Sequence, residues 1–143
     1  KDEECHILNK VTGVSNIINR AKMFAYKEKK VIDGWKGKIA SLLSDNGKVA
    51  LWGAGAKGAT FANLIDPSAK LIDCVIDINA NKAGGYIAGT GHPIVGCKEI
   101  PGRKIKSAII MNSNYAHEIE ELLLNEGIAV NLMVWGHNHE GDY

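Results

Sequence analysis

The residues of this chain best suited to hold an anion are Gly53-Ala54-Gly55-Ala56-Lys57-Gly58, which carry G-x-G-x-x-G spacing. Each glycine has its own physical reason. Gly53 allows a tight strand-to-helix turn. Gly55 has no Cβ, so backbone N–H groups can approach a pyrophosphate. Gly58 lets the following helix lie close to the strand. A helix opening here presents unpaired N–H donors, Ala54 to Gly58 among the contacts, and the positive end of its dipole to the anion. The competing reading is a Gly-rich turn that packs a helix and binds nothing. A P-loop is excluded, because Gly58-Ala59-Thr60 stands where Gly-Lys-Ser/Thr would be needed. Lys57 lies inside the loop, as a phosphate contact or as a solvated lysine.

A dinucleotide site also needs an acid about twenty residues further on, against the ribose hydroxyls. Asp73 and Asp77 are the candidates. Asp77 is favoured, because it falls where the second strand ends and a crevice opens. Its alternative is to cap its own turn. Asp73 falls mid-strand, as an edge or surface charge. Asn79 would meet ribose or sugar hydroxyls. Asn114 could hydrogen-bond a base or sugar, with Tyr115 stacked on it. Asn112 to Asn114 compete for a second task, capping a helix. His92 is a loop histidine without an identifiable partner, structural before catalytic. His137-Asn138-His139-Glu140 has metal-ligand types but no rigid frame. No catalytic residue and no metal ligand is assigned.

These residues need a frame, and strand and helix signals alternate around them. Lys48 to Trp52 is a short apolar strand. Ala56 to Ile65 is a helix, with Phe61, Leu64 and Ile65 on one face. Leu71 to Ile76 is a second strand. Ile87 to Val95 is Gly-rich, with one short strand near Pro93-Ile94-Val95, and a loop of this kind suits a lid. Ser107 to Met111 is a buried strand. Ser113 or Asn114 caps a helix to about Asn125, with Ala116, Ile119, Leu122 and Leu123 inward and Glu118, Glu120 and Glu121 outward. Gly127 stops it, and Ile128 to Trp135 is a last strand. Such alternation implies parallel pairing through crossovers. The expected fold is α/β, a Rossmann-like parallel sheet flanked by helices over residues 47–135.

An N-terminal helical segment, residues 1–46, precedes it. Apolar residues recur there at Val14, Ile17, Ala21, Phe24, Ile32, Trp35, Ile39, Leu42 and Leu43, a helical spacing. From Ser15 to Ser44 there are seven Lys or Arg and two acids. Ser15 is a fair N-cap. Gly34 and Gly37 each cost roughly 1 kcal/mol in a helix interior, so two helices, or one with a bend near residues 31–37, are expected. Asp45-Asn46-Gly47 supplies turn chemistry. The tail, 136–143, is polar and frayed.

Bulk composition sets outer bounds. With 143 residues and 45% hydrophobic content, one domain with an appendage can bury a core without disulfides. A net charge of +1 argues against nucleic acid as a partner. Cys5, Cys74 and Cys97 form no CxxC, so neither a zinc knuckle nor a redox dithiol is implied. Cys74 reads as a small core residue. The cysteine usage suits a reducing cytoplasm. No apolar stretch reaches membrane-span length. The chain opens Lys1-Asp2-Glu3-Glu4 without Met, which suggests a piece of something longer.

Two longer patterns carry a resemblance. One is Gly53-Ala54-Gly55-Ala56-Lys57-Gly58-Ala59-Thr60. The other is Asp77-Ile78-Asn79-Ala80-Asn81-Lys82-Ala83-Gly84-Gly85-Tyr86, followed by Gly89-Thr90-Gly91-His92-Pro93-Ile94-Val95. With Asn114-Tyr115 and the acidic helix after it, they resemble the C-terminal domain of SAM-dependent sugar C-methyltransferases over roughly residues 15–135. The resemblance implies a nucleotide-sugar substrate, typically a dTDP-sugar. It also implies an upstream S-adenosylmethionine domain holding the catalytic residues, and a fragment that methylates nothing alone. Where that family often carries Pro and Asn, this chain has Gly55 and Ala59. Gly55 moves it toward the ordinary dinucleotide pattern. A related Asp-x-Asn-x-x-Lys-x-Gly pattern occurs in sugar acetyltransferases. The alternative function is therefore a stand-alone NAD(P)-binding oxidoreductase or cofactor sensor.

Overall fold

Alternating β-branched and small apolar residues make strands that can be buried on both faces, as a parallel sheet requires. The computed structural model describes residues 2–44 and 47–136, with the backbone alone for 2–12. Helix α1 is Asp2–Ser44, followed by β1 Lys48–Trp52, α2 Ala56–Ile65, β2 Ile72–Ile76 and β3 Ile94–Val95. A 3-10 turn, Cys97–Glu99, leads into the short helix α3, Ile100–Arg103, and then β4, Ile105–Ile110. A second 3-10 turn, Ser113–Tyr115, opens α4, Ala116–Asn125, and β5 is Asn131–Val134. Two compact units result, Lys1–Trp35 and Lys36–Tyr143.

The second unit holds a five-stranded sheet in the order β3-β2-β1-β4-β5, and every strand pair is parallel. One sheet face contributes Ala50, Trp52, Cys74, Ile76, Ala108 and Ile110 to a core closed by Ile119 and Leu123 of α4 and Ile100 of α3. Burial pushes the Cys74 thiol up to about 12, which fits its expected core role. The intervening positions Val49, Leu51, Val75 and Ile109 are also fully buried. Helix α2 buries Gly58, Phe61, Ala62 and Ile65, and Phe61 meets Trp135 edge-on at 6.0 Å. Leu64, expected on the same face, is exposed. One turn separates it from Phe61, and its Cβ falls outside the buried stripe.

Three local expectations change. The first helix is continuous through Ser15, Gly34 and Gly37, so Ser15 is interior and caps nothing, and there is no break at 31–37. Two glycine penalties of about 1 kcal/mol are outweighed across a helix of 43 residues. Among the cap candidates Asn112 to Asn114, the side chain that accepts the capping N–H ahead of α4 is that of Asn112, so the choice of Ser113 or Asn114 gives way to it. Asp73 is no simple surface charge. Its carboxylate receives Lys48 Nζ at 2.6 Å and Arg103 Nη1 at 2.7 Å, tying β1, β2 and α3 together. Asp45, Asn46 and the 137–143 tail, with its histidines, lie outside the described residues.

Candidate functional site: the crevice between β1 and β4

Strand order turns at β1, since β2 lies on one side of it and β4 on the other. In open parallel sheets such a switch point leaves a crevice at the strands' carboxyl ends. Gly53 completes the turn there with φ +115, a region closed to side chains at low cost. Its N–H donates to the Ile76 carbonyl at 2.7 Å, and Met111 N–H donates to the Trp52 carbonyl at 3.0 Å. A Cβ at Gly58 would collide with the Gly53 carbonyl oxygen, whereas one at Gly55 would meet nothing within 4 Å.

Gly55 is the N-cap of α2, with extended backbone and no side-chain cap. The helical ladder begins with Ala59 N–H to the Gly55 carbonyl at 3.0 Å. The N–H groups of Ala56, Lys57 and Gly58 precede that bond, and among the described residues they meet no protein acceptor. The Ala54 N–H is different, because it donates to Asp77 Oδ2 at 2.8 Å.

Asp77 therefore works first as a clamp. Its Oδ1 accepts from Asn79 N–H at 2.9 Å, and its Oδ2 also meets Lys82 Nζ at 3.1 Å. Partial burial pushes this carboxyl up, but the N–H groups of Asn79 and Ala54, with Lys82, hold it below the usual carboxylate range. Three donors on four lone pairs leave room for one more, on Oδ1.

Together these groups border a cavity of about 760 Å³. Its floor is apolar, from Trp52, Ile110, Met111, Ile119 and Leu122, and its rim carries Lys57, Lys82, Asp77, Glu118, Ile78 and Tyr115. Of the residues expected at a site, Gly53, Gly55, Lys57, Gly58, Asp77 and Tyr115 come together here. Ala54, Asn79 and Asn114 do not line the cavity. The Asn79 side chain accepts from Asn81 N–H at 3.0 Å, and Asn114 N–H turns to Asn112 Oδ1 at 3.2 Å. Lys82 lies within the recognised Asp77–Tyr86 pattern without an assigned contact, and Asn112 is legible in sequence only as a helix-cap candidate. Ile78 and Glu118 carried no signal beyond their place after a strand and in a first helical turn. A shallower hollow of about 550 Å³ lies between Leu124 and Ile128–Leu132, away from the glycine turn.

His92 does not belong to the crevice. It is fully buried, with Nε2 3.1 Å from Asp66 Oδ2 and Nδ1 2.7 Å from Thr90 Oγ1. Asp66 also takes the N–H groups of Lys70, Leu71 and Ile72, which places the pair at the amino end of β2. The partner invisible in sequence is thus 26 residues away. The Gly-rich loop expected as a lid is pinned, with Asn63 Nδ2 on the Ala88 carbonyl at 3.0 Å and Gly84 N–H on the Ile94 carbonyl at 2.9 Å. Among the described residues no group of His, Cys, Asp and Glu could hold a metal ion, and no helix is long and apolar enough to cross a membrane.

No curated protein matches this sequence. Among solved structures it is similar to RSP, a Rex-family repressor, at 20% identity over 71% of this chain and 53% of that one, with TM-score 0.44. It is also similar to RSP in complex with beta-NAD+ and operator DNA, at 19% identity over 63% of this chain and 51% of that one, with TM-score 0.45. The chain thus spans about half the length of the solved chains it matches. The family described as the C-methyltransferase C-terminal domain matches residues 13–126. The glycine turn, the Asp77–Tyr86 segment and the start of α4 all fall inside that match, and the chain belongs to the C-methyltransferase C-terminal domain family.

Proposed function

We propose that the crevice holds the diphosphate of a nucleotide-linked sugar, typically a dTDP-sugar, for C-methylation by an S-adenosylmethionine domain supplied elsewhere in the enzyme. The observation that carries this reading is the set of open N–H groups at Ala56, Lys57 and Gly58, facing a 760 Å³ cavity with Lys57 and Lys82 on its rim. Amides at a helix start favour an anion through geometry and dipole together. Lys57 adds a positive charge on the rim, beside the Lys82 ammonium that Asp77 holds at 3.1 Å, and both can donate to a diphosphate. Gly55 allows the approach because nothing occupies the space a Cβ would take. Tyr115, half exposed on the rim, offers a flat face to a base or sugar. Asp77 retains one lone pair for a hydroxyl. Asn79 and Asn114 would reach the ligand only from outside the cavity wall. The chain contributes binding and orientation, and no residue of the crevice is assigned a catalytic step.

The NAD(P) alternative is weaker on the same geometry. Its adenosine ribose would need two hydroxyls received by Asp77, whose Oδ2 already holds Ala54 N–H and Lys82. A chemical-shift titration with dTDP, UDP, NAD and S-adenosylmethionine tests the choice. Sugar-nucleotide diphosphates should move the amides of Ala56 to Gly58, with affinity falling about tenfold in Lys57→Ala/Lys82→Ala. Binding of NAD alone would overturn the proposal.

A further inference from the structure

Every residue of α1 from 13 to 30 is exposed, and none contributes to the buried core. Yet the stretch is not built as a solvated rod. Val14, Ile17, Ile18, Ala21 and Phe24 share one side of the helix at i, i+3 and i+4 spacing, with Ile17 68% and Phe24 67% exposed. An isolated helix in water draws little stability from propensity, and helices in proteins rest mainly on packing of an apolar face. An apolar stripe this long without a partner marks an interaction surface.

Charge narrows the partner. Residues 13–31 carry Arg20, Lys22, Lys27, Lys29 and Lys30 against Glu28. Two copies laid together would bring like charges to the same edges, which opposes self-pairing. An acidic rim on the partner would be favoured instead. The family match begins at residue 13, one residue before the stripe. The stretch is therefore part of what defines a C-terminal domain of C-methyltransferases, although its residues are absent from the core.

We propose that the Val14–Phe24 face of α1 docks into an apolar, acid-rimmed groove on the methyltransferase portion of the enzyme. This inference rests on the reading of the chain as the C-terminal part of a methyltransferase, and it adds the surface by which that part is held. Ile17 and Phe24 are the anchors, with Arg20 and Lys27 along one edge of the stripe and Lys22 and Lys29 along the other.

The test titrates the methyltransferase portion, expressed separately, into the labelled chain at low and high salt. Binding is expected, weakened at least tenfold by Ile17→Asp and by Phe24→Asp, and several-fold by Lys27→Glu/Lys29→Glu or by raised salt. Asn19→Ala, on the opposite side of the helix, should leave it unchanged, and circular dichroism of each variant checks that the helix persists. Absence of binding, or binding indifferent to Ile17→Asp and Phe24→Asp, overturns the proposal. So does self-association in sedimentation, or binding to phosphatidylserine vesicles, that Phe24→Asp abolishes while the methyltransferase portion does not bind. Titration of the same variants with dTDP reads the crevice independently, so failure of one proposal does not mimic failure of the other.

Discussion

At the scale of single residues, the three glycines of the turn are not equivalent, and the structure separates them. Gly58 is held by contact, since a Cβ there would strike the Gly53 carbonyl oxygen. Gly58→Ala should lower stability by about 1–3 kcal/mol or more through overpacking. Gly55→Ala has open space around the new methyl and should melt near the parent temperature while weakening diphosphate binding, because the methyl stands beside the open amides. Thermal melts and a dTDP titration of the two variants check both halves. Asp66 makes a second case. Burial raises its carboxyl, but the N–H groups of Ile72, Lys70 and Leu71, with His92, outweigh that and hold it below 3.8. A depressed carboxyl contributes stability fully above its unfolded value, and the contribution is lost as pH falls through the lower folded value. Asp66→Asn should cost about 3 kcal/mol near neutrality and flatten the acid limb below the unfolded value in denaturant melts run from pH 7 downward. The glycine spacing was legible in sequence because it is local. The Asp66–His92 pair was not, because nothing local connects residues 26 apart in the chain.

At the scale of elements, legibility followed the strength of the local pattern. Lys48–Trp52 and Ala56–Ile65 emerge with the bounds their apolar patterns imply. The Cys97–Arg103 segment went unread, because its 3-10 turn and single helical turn contain Pro101 and Gly102, which mark loops in sequence. Pro101 in fact stands at the start of α3, where its missing N–H costs nothing. Helix α4 ends as its glycine implied. Gly127 adopts φ +66, its N–H reaches the Leu124 carbonyl at 3.1 Å, and Ile128 N–H reaches the Leu123 carbonyl at 2.9 Å, the paired bonds of a Schellman stop. Gly127→Ala should therefore cost about 1–2 kcal/mol, and Gly127→Asn less, in urea melts. The opposite sign is expected in α1. A Cβ at Gly34 or Gly37 would meet nothing within 4 Å, so Gly34→Ala and Gly37→Ala should each stabilise the helix by roughly 1 kcal/mol, seen as increased helicity on warming. Sequence alone overestimated these two glycines, because propensity is a weak prior within a long helix.

At the scale of the whole molecule, parallel pairing and the place of the crevice were legible, since alternation of strands and helices leaves few topologies. The exposure of residues 13–30 was not, because the apolar stripe of α1 reads the same whether it is covered by this chain or by another. Amide exchange distinguishes the two units directly. Stability in a protein is uneven, and protection follows burial and hydrogen bonding. The amides of Val49 to Leu51 and Ala108 to Ile110, in fully buried central strands, should exchange only through global unfolding. Those of residues 13–30, in an exposed helix, should exchange orders of magnitude faster. Adding dTDP at 100 times its dissociation constant should stabilise the sheet unit by about 2.7 kcal/mol and slow its core amides by about a hundredfold. If ligand engages only the crevice, residues 13–30 keep their fast exchange under the same conditions. Slowing of that stretch by dTDP alone would mean that nucleotide and helix are coupled within this chain, and the helix would no longer stand as a surface reserved for another part of the enzyme.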